Sequence, residues 1–253
     1  MALITLNFYS EALGMQTQVE VIIPQRSAAG QIGIENKASQ ERYKCLYLLH
    51  GLSDDQTIWM RRTSIERYAA DYGICVVMPC GGRSFYCDMK HGLAYYTYIA
   101  KELPARIEEF FHVSDRREDR FVAGLSMGGY GALKIALKEC DRFCAGAGLS
   151  PSGDLQKTSF QDILVSIFGT SQVPQQEDLM YLAEHTENNP NKPRLYMAIG
   201  TEDFLYQNCQ GLRQKLSEPG WDFTYREKPG VGHSWSYWDE EIQNVLKWMF
   251  DRR

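Results

Sequence analysis

The chain has 253 residues, of which 44% are hydrophobic and 23% are charged, and its formal net charge is −5. This length and composition are typical of one large globular domain or two small ones, and they exclude a disordered or fibrous chain. The acidic balance argues against a nucleic-acid partner, and no apolar run reaches the ~18–20 residues that span a membrane. The first basic residue is Arg26, so the start lacks the charged region of a secretion signal, and a cytoplasmic location is expected.

Short apolar or alternating runs predict the strands, and segments with helical spacing lie between them. In chain order, strands are predicted at Leu3–Ser10, Gln18–Pro24, Tyr43–Leu49, Ile74–Met78, Arg120–Gly124, Ala145–Leu149, Pro193–Ile199 and Phe223–Glu227. Helices are predicted at Ile58–Tyr72, Tyr95–Phe111, Met127–Lys138, Gln207–Ser217 and Tyr237–Phe250. The polar residues from Arg26 to Arg42 predict an exposed loop.

The alternation of apolar strands with helices indicates an α/β fold whose mainly parallel sheet is covered by helices on both faces. In such sheets, functional sites gather at the carboxyl ends of the strands. The stretch from Ser150 to Lys192 is too long for an ordinary connection and contains apolar helical pieces at Phe160–Phe168 and Leu179–His185. It therefore predicts a small helical lid inserted into a single domain.

The cysteines are odd in number and scattered, without the paired spacing of a zinc site. We expect all of them to be reduced and unliganded, and we expect neither a metal nor a cofactor. The seven are Cys45, Cys75, Cys80, Cys87, Cys140, Cys144 and Cys209.

One motif indicates nucleophilic catalysis, because the residues from Gly124 to Gly128 match G-x-S-x-G. An apolar strand precedes it and a helix follows it, which is the strand–turn–helix context of a nucleophile elbow. The glycines permit a sharp turn, and the start of the helix provides free N–H groups beside the serine oxygen. Ser126 is therefore the predicted nucleophile, and an ordinary glycine-rich turn with a serine N-cap is the alternative.

A serine nucleophile needs a base within reach and an acid that orients the base. His233 lies in a glycine-rich turn after the last predicted strand, where a base belongs, whereas His185 lies in the insertion. Asp203 and Glu202 both follow a strand end. We prefer Asp203 because its spacing carries it over the turn, with Glu202 as a solvated neighbour and Asp154 as a minor competitor.

Two backbone N–H groups are expected to stabilise the tetrahedral intermediate. One belongs to Met127, directly after the nucleophile. The other belongs to Leu52, because the flexible Gly51 lets the chain direct this amide inward. His50 precedes the serine and ends a strand, so we expect it to pack and to form hydrogen bonds beneath the loop.

Four segments in the same order resemble the esterase D group of α/β-hydrolases, and among them the bacterial tributyrin-type acyl esterases most closely. They are residues 48–69 (LLHGLSDDQTIWMRRTSIERYA), residues 78–86 (MPCGGRSFY), GLSMGGYGAL and GVGHSW. The resemblance covers nearly the whole chain. It implies the α/β-hydrolase fold, with antiparallel strands at the amino terminus, and ester hydrolysis through an acyl-serine. It also implies Ser126, Asp203 and His233 as a triad, with Leu52 and Met127 as oxyanion donors.

This chain departs from the pattern at two places. S-formylglutathione hydrolases of this group typically have a cysteine shortly after the HGL-like turn, where this chain has Asp54 and Asp55. The difference argues against a glutathione thioester as the substrate. Cys80 stands where a polar residue is expected before two glycines, and the sequence offers no reason for it.

The expected activity is a serine carboxylesterase acting on small-molecule esters with short acyl groups. Alternatives with the same triad are S-formylglutathione hydrolysis and removal of acetyl or feruloyl groups from polysaccharide. A non-catalytic binding module would normally have lost Ser126 or His233. A metallohydrolase built on His50, Asp54, Asp55 and His233 lacks the tight ligand spacing of such sites.

Several large aromatic residues lie in or beside the predicted site loops, and they could line an aromatic substrate pocket. The substrate-binding candidates are Trp59, Phe85, Tyr86 and Trp235, with Trp238 nearby. Core packing beneath the loops is the alternative for each of them. The sequence leaves a homo-oligomer open.

Overall fold

The computed structural model describes residues 1–25 and 41–251. The loop predicted from Arg26 to Arg42 therefore lies, apart from its last two residues, outside the described part of the chain. The strands are β1 Ala2–Ser10, β2 Met15–Ile23, β3 Cys45–Leu49, β4 Cys75–Pro79, β5 Arg120–Leu125, β6 Ala145–Leu149, β7 Arg194–Gly200 and β8 Phe223–Lys228.

Within the described residues these eight strands form one sheet in the order β1-β2-β4-β3-β5-β6-β7-β8. The first strand pairs antiparallel with β2, and β2 pairs antiparallel with β4. Every pair from β4 to β8 is parallel. This arrangement confirms the predicted mainly parallel sheet with antiparallel strands at the amino terminus.

Helices cover both faces of the sheet, as predicted. They are α1 Ile58–Arg62, α2 Ile65–Tyr72, α3 Leu103–Phe110, α4 Met127–Lys138, α5 Gln161–Phe168, α6 Leu179–Thr186, α7 Tyr206–Leu216 and α8 Trp235–Phe250. Alternate residues of the buried strands point into two apolar clusters. Tyr47 and Leu49 of β3 pack with α3 to α7 on one face, whereas Leu46 and Leu48 pack with α1, α2 and α8 on the other. No described helix is long and apolar enough to cross a membrane.

One predicted helix is interrupted, and another changes from α-helix to π-helix along part of its length. The helix expected over Ile58–Tyr72 breaks at Thr63, whose hydroxyl donates a hydrogen bond to the carbonyl of Trp59 at 2.6 Å and accepts one from the N–H of Ile65. Such side-chain bonds compete with the helix backbone. The helix expected over Tyr95–Phe111 runs without a break from residue 95 to residue 110, but Thr97–Glu102 form a π-helical segment within it. Pro104 follows it, and a proline lacks the N–H of an α-helical bond and crowds the preceding turn.

The stretch from Ser150 to Lys192 folds as a helical insertion between β6 and β7. It contains α5, α6 and two 3-10 turns at Leu155–Lys157 and Gln175–Glu177. A buried ion pair of 2.6 Å between Lys134 of α4 and Glu177 joins the insertion to the helix that follows the nucleophile motif. The insertion is thereby anchored on the same helix that begins beside Ser126.

Candidate active site

Ser126 occupies a sharp turn between β5 and α4. Its φ of 54° and ψ of −117° lie in a region that a residue with a side chain rarely adopts. The start of α4 packs directly against the end of β3 because Gly128 has no side chain. A Cβ added to Gly128 would lie 2.5 Å from the carbonyl oxygen of Leu49, which is too close. The N–H of Ser126 donates a hydrogen bond to the carbonyl of Leu149 at 2.8 Å. The strained conformation is that of a nucleophile elbow.

His233 and Asp203 meet across two neighbouring strand ends. The N–H of His233 at Nδ1 donates a hydrogen bond to Oδ2 of Asp203 at 2.8 Å. The other carboxylate oxygen of Asp203 accepts the N–H of Leu205 at 2.9 Å, and this side chain is fully buried. The loops after β7 and β8 pack so closely that a Cβ on Gly200 would lie 2.0 Å from the carbonyl oxygen of Val231. This contact fixes the separation of the imidazole and the carboxylate.

The two predicted oxyanion donors are Met127, the residue after Ser126, and Leu52, in the loop after β3. Met127 is the first residue of α4, so its N–H has no acceptor in a preceding turn of the helix. Leu52 lines the same cavity as Ser126. The assignment of these two N–H groups as oxyanion donors stays a prediction.

His50 supports this turn from below. Its Nδ1 donates to the carbonyl of Gly51 at 2.7 Å, and its Nε2 accepts the N–H of Gly81 at 2.8 Å. Only the neutral Nδ1–H tautomer makes both bonds. Burial lowers the pKa of His50, although the Gly51 carbonyl and nearby carboxylates act in the opposite direction. His50 therefore has the packing and hydrogen-bonding role expected for it.

A cavity of about 420 Å³ joins these groups at the carboxyl ends of the strands. It brings together Leu52, Ser126, His233 and Trp235, all of which the sequence singled out. Its lining residues are Gly51, Leu52, Ser53, Asp54, Leu125, Ser126, Phe160, Phe204, His233, Trp235 and Trp238.

The structure corrects three of the four substrate-binding candidates. Trp59, Phe85 and Tyr86 are each at most 1% exposed, and none of them lines this cavity. The Trp59 indole N–H donates to the carbonyl of Leu49 at 3.0 Å, and the Tyr86 hydroxyl donates to the carbonyl of His50 at 2.8 Å. They hold the site loops from the core side, and only Trp235 of the four faces the cavity.

The competing acid and base candidates lie elsewhere. Glu202 is exposed, and Asp154 caps a 3-10 turn by accepting the N–H of Gln156. His185 is exposed on α6 and stacks on Tyr181 at 3.7 Å between ring centroids. Among residues 1–25 and 41–251, no group of three or more His, Cys, Asp or Glu side chains is arranged to hold a metal ion.

Sequence reasoning missed two aromatic residues of the cavity, Phe160 and Phe204, and placed a third, Trp238, beside the substrate-binding candidates. Phe204 directly follows Asp203, is 63% exposed and lies 4.6 Å from the His233 ring between centroids. Phe160 reaches the cavity from the insertion. Trp238 meets His233 edge-on at 4.7 Å. A large aromatic beside the predicted acid was the signal available for Phe204. For Phe160 the sequence predicts a place in the helical insertion, but it does not show that this side chain reaches the cavity.

Comparison with known proteins agrees with this geometry. A family model described as "Putative esterase" matches residues 10–249. An acetyl esterase from Caldicellulosiruptor saccharolyticus is 30% identical over 264 residues, covering 98% of each chain. Among solved structures, the substrate-bound fluorophosphonate-binding serine hydrolase FphF of Staphylococcus aureus is 32% identical, covers 99% of each chain and has a TM-score of 0.87. The S-formylglutathione hydrolase FrmB of Staphylococcus aureus is 33% identical, covers 98% of each chain and has a TM-score of 0.84. The chain therefore belongs to the esterase family, with the α/β-hydrolase fold, and is a carboxylic ester hydrolase.

Proposed function

We propose that this esterase hydrolyses short-chain acyl esters through an acyl-serine intermediate at Ser126. The observation that carries the proposal is the 2.8 Å hydrogen bond that Asp203 accepts from His233, which lines the same cavity as Ser126. The strained backbone of Ser126 and the similarity to an acetyl esterase support it further. In this reading Ser126 is the nucleophile, His233 the base and Asp203 the acid.

In the acylation step, Ser126 Oγ attacks the ester carbonyl carbon while Nε2 of His233 takes the hydroxyl proton. Asp203 keeps the imidazole in the Nδ1–H tautomer and stabilises the imidazolium that forms. The N–H groups of Leu52 and Met127 donate to the oxyanion. Collapse of the tetrahedral intermediate breaks the bond to the alcohol oxygen, which leaves with the proton held by His233.

Deacylation repeats these steps with water as the nucleophile. His233 takes a proton from the water as its oxygen attacks the acyl carbon, and the same two N–H groups stabilise the second oxyanion. The bond to Ser126 Oγ then breaks, and His233 returns its proton to that oxygen. The products are the carboxylic acid and the alcohol, and the groups named here carry out every proton transfer.

Replacement of Ser126 by alanine tests the proposal. We expect Ser126→Ala to fold normally and to lower kcat by about 10³-fold or more, because no other group supplies the nucleophile. The variant should also lose covalent labelling by a fluorophosphonate, measured by intact mass. Ser53 lines the same cavity, so Ser53→Ala is a matched control that should still be labelled. More than a tenth of wild-type activity in a clean Ser126→Ala preparation would contradict the assignment.

A second candidate substrate is S-formylglutathione. It is favoured by the 33% identity to the S-formylglutathione hydrolase of Staphylococcus aureus. The same groups would cleave a thioester, with the thiol as the leaving group. Comparison of kcat/KM for S-formylglutathione with that for an acetyl ester distinguishes the two candidates.

A further inference from the structure

Asp54 places a carboxylate in the cavity of Ser126. Its side chain is half-buried and lies against the turn of Gly51, where an added Cβ would be 2.9 Å from Oδ2. Neither a hydrogen bond nor an ion pair holds this carboxylate among the described residues. The neighbouring Asp55 differs, because its Oδ1 accepts both the N–H and the hydroxyl of Thr57, at 2.8 and 2.6 Å. Asp54 is thus free to interact with a bound molecule.

The surroundings of Asp54 do not neutralise its charge. The described lining of the cavity includes neither a lysine nor an arginine. Asp55 and Glu202, next to cavity residues in the chain, are exposed carboxylates and add to the negative field. A negative cavity without a cation attracts positively charged molecules and repels anions.

Aromatic rings supply the second half of a cation-binding environment. Phe204, at the cavity, is 63% exposed, and Trp235 and Trp238 lie edge-on to each other at 5.3 Å between centroids. The faces of such rings attract an ammonium group, and rings combined with a carboxylate suit quaternary ammonium ions. Neutral apolar groups would bind the rings equally well but would not benefit from the carboxylate.

We propose that Asp54 is a specificity-determining residue that makes this site prefer esters whose alcohol part carries a positive charge. The inference rests on the proposed function, because a short acyl group leaves only the alcohol part to carry the charge. Coulomb attraction over ~6 Å at an effective dielectric constant of ~40 corresponds to about a 10-fold preference for a cation over a neutral group of the same shape. An anionic alcohol part is disfavoured by a similar factor.

Three acetate esters test the proposal: acetylcholine, its neutral isostere 3,3-dimethylbutyl acetate and the anionic 3-acetoxypropane-1-sulfonate. The measured quantity is kcat/KM for each charged ester divided by that for the neutral ester. Comparing these ratios between enzymes cancels the intrinsic reactivity of each ester. We expect Asp54→Asn to lower the cationic ratio about 10-fold and to raise the anionic ratio similarly, and Asp54→Lys to move both further. Asp55→Asn is the matched control, and it should change both ratios less than about twofold because its carboxylate lies outside the cavity lining.

Unchanged ratios in Asp54→Asn and Asp54→Lys would overturn the proposal, as would an equal shift in Asp55→Asn. Fluorophosphonate labelling shows whether each variant keeps an intact site. If a variant fails to fold, ionic strength decides the matter in the wild-type enzyme. Between about 0.01 M and 1 M salt the Debye length falls from roughly 30 to 3 Å. The attraction of the carboxylate is then screened, so kcat/KM for the cationic ester divided by that for the neutral ester must fall as salt is added. Failure of the proposed function is a separate outcome, because Ser126→Ala would then still hydrolyse the neutral ester.

Discussion

The imidazole of His233 is held on three sides. Asp203 accepts its Nδ1–H at 2.8 Å, while the rings of Phe204 and Trp238 lie 4.6 and 4.7 Å from it between centroids. The carboxylate sets the tautomer, and the rings limit rotation about the side-chain bonds. The proposed base is therefore oriented before a substrate binds.

Replacing the proposed acid, Asp203, by asparagine removes its charge and its control of the His233 tautomer while keeping the size of the side chain. We expect Asp203→Asn to lower kcat by about 10³–10⁴-fold, because the amide neither fixes the Nδ1–H tautomer nor stabilises the imidazolium. The adjacent Glu202 is exposed and serves as the matched control, so Glu202→Gln should keep kcat within about threefold of wild type. Steady-state kinetics with an acetyl ester measure both variants. A larger loss in Glu202→Gln would mean that the wrong carboxylate has been chosen.

For single residues, the sequence predicts candidate catalytic side chains better than it predicts the direction in which an aromatic side chain packs. Ser126, His233 and Asp203 could be predicted as a triad because the motif, the order along the chain and the strand ends restrict the choice, and the structure brings His233 and Asp203 into contact. Phe85 and Tyr86 were candidates for the pocket, with core packing as the alternative, and both have positive φ, near 50°, and turn into the core. Composition does not reveal that conformation. An aromatic residue in a site loop looks the same in sequence whether its ring points to the cavity or beneath it.

The helix α4 and the insertion are joined by the buried ammonium group of Lys134, which pairs with Glu177. Lys134 is fully buried, and its Nζ lies 2.6 Å from Oε2 of Glu177, 2.9 Å from Sγ of Cys87 and 3.2 Å from the carbonyl of Phe85. The other carboxylate oxygen of Glu177 accepts a bond from Lys138 at 2.9 Å. Burial raises the pKa of Cys87 to about 12, so its thiol brings no negative charge at neutral pH. Glu177 is therefore the counter-ion of Lys134.

Loss of this counter-ion should destabilise the fold. We expect Glu177→Gln to lower the free energy of unfolding by about 3–5 kcal/mol at pH 7, because a buried ammonium is left without its partner. Urea unfolding measures the change. The control is Glu218→Gln, which removes an exposed carboxylate 2.7 Å from Lys215 and should cost less than about 1 kcal/mol, because Lys215 keeps Glu187 as a partner. Equal effects in the two variants would show that the buried pair does not anchor the insertion.

The same pair predicts a pH dependence. Burial alone would raise the pKa of Glu177, but the ammonium groups of Lys134 and Lys138 lower it below its usual value. A carboxyl group whose pKa is lowered by folding stabilises the fold above its unfolded pKa of ~4.3, and this stabilisation is lost as the pH falls through the lower folded value. The stability difference between the wild-type chain and Glu177→Gln should therefore shrink below about pH 4.

Element boundaries could be predicted only where local signals are strong. The apolar strands after residue 42 were found within two residues of their observed ends because buried parallel strands form short, continuous apolar runs. The break at Thr63 and the π-helix before Pro104 were missed, because each depends on one side chain overriding a continuing helical pattern.

For the whole molecule, the sheet order brings four distant segments to one edge. The residues after β3, β5, β7 and β8 supply Leu52, Ser126, Asp203 and His233, while the insertion adds Phe160. Parallel strands place all their carboxyl ends on the same side, so this convergence could be predicted from the alternating pattern alone. The size of the resulting cavity could not, because it depends on how the insertion packs over the sheet edge.

That size leads to a prediction about the acyl range. The cavity of about 420 Å³ lies at the small end of ligand sites, and Phe160 and Phe204 help to form its wall. Each added methylene gains ~0.8 kcal/mol of transfer free energy while it fits, and contact with the wall then outweighs this gain. We expect kcat/KM to be highest for acetyl to butyryl esters and to fall at least ~10-fold by decanoyl, measured with p-nitrophenyl esters below their aggregation limits. Phe160→Ala removes part of the wall and should raise the ratio of decanoyl to acetyl kcat/KM, because the insertion then no longer limits the longer chain. A maximum at octanoyl or beyond in the wild-type enzyme would refute the short-pocket interpretation and would require an acyl channel that opens beneath the insertion.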